Sequence, residues 1–142
     1  MPVETLESRN PVRINRLQLG VDSGGAGKFR GGLNVVKEYE VLTDATVTLH
    51  FDRARTPQWG LFGGKDGASP KVTVYKKDRP EGFVVNKVEQ LPLKAGERFV
   101  CETGGGGGYG DPRERDPKLV REDLLNGSIS EEAARTYYGY GN

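Results

Sequence analysis

The sequence predicts a mainly β protein, antiparallel sheets in a sandwich or barrel-like arrangement, finished by a C-terminal α-helical hairpin. Three observations predict this class. Short runs in which apolar and polar residues alternate recur between residues 12 and 103, the period of a half-buried strand. Clusters of Gly, Pro, Asn and Asp separate the runs and supply turns. Beyond residue 116 the apolar spacing changes to that of a helix, behind residues that cap helix N-termini. The 142 residues are read as one domain, with a β-rich body over 1–103, a glycine-rich loop over 104–116 and the helical hairpin over 117–142. That length suffices for a single hydrophobic core.

The elements follow in order. After Pro11, Val12, Ile14 and Gln18 alternate with polar residues, which predicts a strand over 12–19. Residues 33–42 (LNVVKEYEVL) form a second strand, and Thr43-Asp44 is a two-residue turn into a third over 45–53, so these two are expected to pair as a hairpin. A strand over 71–76 (KVTVYK), a weaker one over 83–88 and one over 98–103 after the turn at 94–97 complete the β part. Asp116 then caps a helix that Pro117 begins, with Leu119, Val120, Leu124 and Leu125 on one face and Asn126-Gly127 as its stop. Ser130 caps a second helix whose first turn, Glu131-Glu132, suits the helix dipole; Ala133, Ala134 and Tyr137 form its apolar stripe and Gly139 closes it.

Composition excludes several function classes. Lys and Arg exceed Asp and Glu by one charge, 21 to 20, so no basic field draws the chain to nucleic acid or an anionic membrane. No apolar run approaches the roughly 18 residues of a membrane span, and the N-terminus has no signal-peptide core; a cytoplasmic protein is expected. Cys101 is the only cysteine, which excludes an internal disulfide, fits a reducing compartment and is read as a buried core thiol. His50 is the only histidine and lies in an alternating run. It is read as a strand residue facing solvent, so neither a His-rich metal cage nor a free-standing catalytic triad can be assembled.

Glycine is the outstanding feature. It makes up 21 of 142 residues, about twice the usual ~7% share, in three clusters: SGGAGKFRGG at 23–32, PQWGLFGGKDG at 57–67 and GGGGGYGDPRERDP at 104–117. Glycine lets backbone N–H groups approach a ligand or another backbone, at a cost in conformational entropy wherever it is ordered. The first cluster is not a phosphate-binding loop, which needs Gly where Asp22 stands and Ser or Thr where Phe29 stands. Gly105, Gly107 and Gly110 satisfy a dinucleotide fingerprint, but five consecutive glycines satisfy almost any spacing, and Asp111-Pro112 follows where an apolar helix is required. Two readings stand for Arg30: an anion clamp beside a nest of N–H groups, or a structural Arg–Asp salt bridge. Two stand for Trp59, near Asp52, Arg53 and Arg55: an interface anchor, or a core ring packing a hairpin. The run from Asp111 to Pro117 is either a rigid turn that orders the polyglycine or a solvated stretch of charge.

In this order, the three clusters resemble the C-terminal region of the hydantoinase B/oxoprolinase family. Pro2-Val3-Glu4, Leu6-Glu7, Val120, Asp123, Gly127 and the closing EAARTYYG extend the resemblance over nearly the whole chain. The resemblance implies ATP-dependent chemistry in a multi-subunit enzyme. Because family members are several times longer, it also implies a gene split in two, with this chain as a non-autonomous small subunit. The expected partners are larger hydantoinase A-like and hydantoinase B-like subunits, and the expected role is to complete or seal the site of the B-like one. The expected reaction is carboxylation of an aromatic ketone, of the acetophenone carboxylase type. The alternatives are a detached piece of a hydantoin- or oxoproline-hydrolysing enzyme and a purely structural interface subunit. ATP and a divalent metal are expected in the complex, with neither on this chain. Candidate site-lining or interface residues are Asp22, Arg30, Asp52, Arg53, Trp59, Gly105, Gly106, Gly107, Gly108, Asp111 and Arg115, with no chemical step assigned to any.

Overall fold

The structure, a computed structural model, describes residues 2–141. They form two compact units, each assembled from three separate stretches. The first takes the stretch ending at Gln18, then Val36–Asp52 and Lys71–Glu102. The second takes Leu19–Val35, Arg53–Pro70 and the stretch from Thr103 onward. As expected, the architecture is mainly antiparallel sheet with helices at the C-terminal end.

In the first unit, a seven-residue helix α1 (Val3–Arg9) buries none of its side chains. The strands are β1 (Val12–Leu19), β2 (Val35–Val41), β3 (Ala45–His50), β4 (Lys71–Lys76), β5 (Arg79–Val85), β6 (Lys87–Leu93) and β7 (Arg98–Glu102). Five make one sheet in the order β1-β2-β7-β4-β5, and β3 pairs with β6 in a second sheet. Val41, Val72, Val74 and Phe99 from the larger sheet and Leu49 and Leu93 from the smaller form the core of this unit. Each is buried, so each contributes about 1.5–3 kcal/mol of apolar transfer relative to exposure. Tyr39 stacks on Phe99 across the β2/β7 pair, with ring centroids 4.7 Å apart. Cys101 is half-buried against this core, and burial pushes its thiol up to about 11, so it is inert near neutral pH.

The expected hairpin between the second and third strands does not form. β2 pairs with β7 and β3 with β6. The Asp44 side chain explains the difference: it does not close a local turn but accepts the Ala95 N–H (3.0 Å) and the Lys94 ammonium (2.8 Å), tying the end of β2 to the β6–β7 turn. Gly96 N and Val41 O complete that junction. The single strand expected over 83–88 is in fact the end of β5 and the start of β6. Pro80 and Pro92 hide both strands in the sequence, since proline cannot donate to a ladder. Both are accommodated because β5 is an edge strand and β6 has a partner on one side only.

The second unit contains α2 (Pro117–Leu125), α3 (Glu131–Tyr138), a 3₁₀ turn at Pro112–Glu114 and the three glycine clusters. The caps are those expected: Asp116 accepts from Lys118 N, Ser130 accepts from Ala133 N, and Gly139 at φ +64° ends α3. Ala26, Val120, Ile129, Ala133, Ala134 and Tyr138 form its core. The apolar stripe of α3 is thus completed by Tyr138, while Tyr137, expected to face inward, is exposed. Among the described residues no helix is long and apolar enough to cross a membrane.

One carboxylate holds the turn before β7. Glu97, 4% exposed, accepts the backbone N–H groups of Lys77 (2.9 Å) and Lys94 (2.8 Å). Burial pushes its pKa up, but these donors and the nearby Lys76 and Lys77 charges outweigh burial and hold it below the ordinary 4.5. The folded protein therefore binds this proton less readily than the unfolded chain does. Glu97 contributes stability above pH 4.5 that is lost as the pH falls through its lower folded value. Glu97→Gln is expected to destabilise the protein at neutral pH and to flatten the acid limb of its stability profile. Urea melts from pH 7 to pH 3 measure this, and parallel acid limbs in the two proteins would refute it.

Candidate functional site

The run Gly104–Gly108 is the axis of the second unit, and other backbone encloses it. Gly105 N donates to Ala68 O, Gly106 N to Gly32 O and Gly108 N to Lys65 O, each at 2.9 Å. In return, Gly106 O accepts from Gly25 N (2.8 Å) and Gly108 O from Leu61 N (2.9 Å). A β-carbon on Gly105 would overlap the Ser23 carbonyl, one on Gly107 the Trp59 carbonyl and one on Gly108 the Ala26 carbonyl, while one on Gly106 would lie 2.9 Å from Gly32 N. Gly105 and Gly108 thus face the same stretch, 23–26, while Gly106 and Gly107 face two others. None of the five has a left-handed φ, so space, not backbone conformation, is what demands glycine at Gly105 to Gly108.

The surrounding glycines repeat the arrangement. β-carbons on Gly25, Gly31, Gly64 and Gly67 would overlap backbone carbonyls of Lys65, Gly106, Gly108 and Gly105 respectively. The N–H groups of Gly25, Gly31, Gly64, Gly67 and Gly110 all end on backbone oxygens. Donors committed in this way are not available to cradle a phosphate, so these five N–H groups do not fit the phosphates of ATP. The cavity beside Gly24 and Gly25, also lined by Asp22, Lys65, Ala133 and Tyr138, holds about 70 Å³, against the ~300 Å³ at which small-molecule sites begin.

Electrostatics lock the knot to the helices. The Asp123 carboxylate in α2, 7% exposed, accepts Arg30 Nε (3.1 Å) and Nη2 (3.0 Å) in a fork, and Arg115 Nη2 at 2.8 Å. Arg30 Nη1 also reaches Gly31 O, and Arg115 Nη1 reaches Lys28 O. Planar, bidentate pairing of this kind is what arginine offers and lysine does not. Of the two readings for Arg30, the structure shows the salt bridge, with Asp123 as its partner. Asp123 belongs to the motif resemblance but not to the candidate residues; the signal for it was an acid among the apolar positions of an otherwise amphipathic helix.

The other candidates are placed as follows. Asp22, at φ +58°, accepts Ser130 N (2.8 Å) and so fastens the first glycine cluster to the start of α3. Asp111 accepts Arg113 N (2.9 Å) and caps the 3₁₀ turn. Arg53 sits over the ring of Trp59 at 5.3 Å, and Trp59 is 64% exposed, which rules out the core reading of that ring. Asp52 belongs to the first unit, where Lys87 Nζ at 2.8 Å holds its carboxyl below the ordinary range. Asp22, Arg30, Gly105, Gly106, Gly107, Gly108, Asp111 and Arg115 are brought together in one framework. Each is engaged in a bond or a close approach that holds the backbone. Among the described residues no three His, Cys, Asp or Glu side chains converge to hold a metal ion. Asp123, with both oxygens taken by Arg30 and Arg115, does not fit a divalent cation.

A backbone knot of this composition, followed by a capped helical pair, defines a fold shared with known proteins. The family profile "Hydantoinase B/oxoprolinase" matches residues 1–112, and the chain belongs to that family. The caprolactamase subunit beta of Pseudomonas jessenii is 38% identical over 141 residues, covering 96% of this chain and 24% of that one. In the crystal structure of the ATP-dependent caprolactamase from the same organism, the matching region superposes with a TM-score of 0.84 at 33% identity, over 97% of this chain and 24% of the other. Acetone carboxylase in its nucleotide-free form shares the fold at a TM-score of 0.78 and 22% identity, over 98% of this chain and 23% of the other. The chain spans about a quarter of the length of the curated relatives that it matches over nearly its whole length.

Two outcomes test this framework. Gly105→Ala should abolish cooperative folding, whereas Gly104→Ala, whose β-carbon meets Pro70 at an ordinary 3.5 Å, should leave the melting temperature within a few degrees of wild type. Equal melting temperatures for the two variants would remove the steric argument. Asp123→Asn leaves two buried guanidinium groups without their counter-charge and should cost about 3–5 kcal/mol, read as the shift in a denaturant midpoint.

Proposed function

We propose that this chain is a non-autonomous subunit of an ATP-dependent, hetero-oligomeric enzyme of the hydantoinase B/oxoprolinase family, with hydantoinase A-like and hydantoinase B-like larger partners. The observation that carries this reading is the close backbone packing of the glycine knot on itself. Many of its glycine donors, the Asp22, Asp111 and Asp123 carboxylates and Arg30 are engaged within the unit itself, so the chain offers a wall and contributes no reacting group of its own. It completes or seals the compartment of the B-like partner; ATP and a divalent metal are held by the partners.

For the reaction, the motif resemblance and the fold shared with acetone carboxylase support ATP-dependent carboxylation of an aromatic ketone, of the acetophenone carboxylase type. A second reading, ATP-dependent opening of a cyclic amide, is favoured by the higher identity to caprolactamase subunit beta. Both place the same demand on this chain. The third possibility, a subunit that only holds others together, differs in leaving turnover intact wherever assembly is intact.

The experiment is reconstitution. The chain is purified alone and with co-expressed A-like and B-like partners, and each preparation is assayed with ATP for incorporation of labelled bicarbonate into acetophenone and for opening of hydantoin, 5-oxoproline and caprolactam. We expect no turnover from the chain alone and ATP-dependent turnover from the complete assembly. A stable, fully active complex lacking this chain would refute the proposal, and the substrate consumed separates the two reactions.

A further inference from the structure

The second unit carries an open apolar cluster that none of the foregoing explains. Tyr109, at the end of the glycine run, pairs by backbone bridges with both Phe29 and Leu61. Its ring lies 6.2 Å from that of Phe29 and 5.1 Å from that of Phe62. Phe29, Leu61, Phe62 and Tyr109 are 61, 49, 77 and 48% exposed and leave on the order of 400 Å² open, a size at which patches on soluble proteins are commonly functional.

Backbone geometry singles out Phe62. Gly64 N donates to Leu61 O at 3.0 Å, closing a turn whose central residues, Phe62 and Gly63, have φ of +49° and +95°. Two positive φ values mark a turn of type I′, whose first central position is suited to Asn, Asp or Gly. A bulky residue there is strained, and this one gains little burial in return. An aromatic ring held outward against the local preference of its own backbone is a feature that folding of this unit alone does not require.

We infer that the Phe29–Leu61–Phe62–Tyr109 surface is where this chain docks on the body of the hydantoinase B-like partner, an inference that rests on the assembly reading above. The occupant is argued from the comparison with caprolactamase: 97% of this chain superposes on 24% of that one, so in such an enzyme the matching region is joined to a much larger body against which an open apolar cluster can pack. Aromatic side chains in a rigid setting are the residues that carry binding energy at interfaces. The glycine knot behind them keeps the ordering entropy of docking small.

Phe62→Asn provides a test that misfolding cannot mimic, because Asn suits the turn better than Phe does. The isolated variant should melt at or above the wild-type temperature, yet bind the hydantoinase B-like chain of the same organism at least tenfold more weakly by titration. Tyr109→Ser should weaken binding as well, and Leu125→Glu, at an exposed position of α2, should not. Wild-type affinity in Phe62→Asn and Tyr109→Ser overturns this surface and leaves the assembly reading standing. A wild-type chain that binds no B-like partner overturns both. Self-association of the wild-type chain that Phe62→Asn abolishes would reassign the surface to a second copy.

Discussion

The second unit depends on one steric constraint: four consecutive residues, Gly105 to Gly108, pass so close to neighbouring backbone that a β-carbon on any of them would meet a main-chain atom within 2.9 Å or less. Ordering glycine costs more entropy than ordering any other residue. What offsets it is a set of backbone hydrogen bonds, each worth about 1 kcal/mol net, made in a region with no regular strand or helix. The buried Arg30–Asp123–Arg115 group and the Asp22–Ser130 bond then fix the helices to that lattice. A buried ion group of this type contributes little relative to well-packed apolar residues, yet removing one of its members leaves an uncompensated charge.

Much of this was legible in the sequence, and the part that was not has identifiable causes. β4 and both C-terminal helices were readable because the signals are local: alternation, a capping Asp or Ser, a closing Gly. The pairing of strands was not local. Thr43-Asp44 reads as a hairpin turn, yet the Asp44 carboxylate is used by residues about fifty positions further on. Likewise, β6 was concealed by Pro92, since a sequence does not show that its strand lacks a second neighbour.

The candidate site was legible in composition and illegible in purpose. The three glycine clusters mark the stretches that meet, and the motif resemblance places them in the right family. A glycine run, however, announces close approach without saying to what. A ligand and another backbone demand the same residue, and only the hydrogen-bond partners distinguish them. Arg30 was open between two readings for the same reason: its counter-charge, Asp123, lies 93 residues away.

The partners of the glycine run also bear on how the chain reaches its native state. Ala68, Lys65, Gly32 and Gly25 all precede the run by dozens of residues, so the bonds of the run itself cannot form from neighbours in sequence. Loop-closure entropy must be met before any of its bonds form, which makes this unit a late and slow event in folding. Until it closes, the newly made polypeptide carries a stretch of polar main chain with nothing but water to satisfy it.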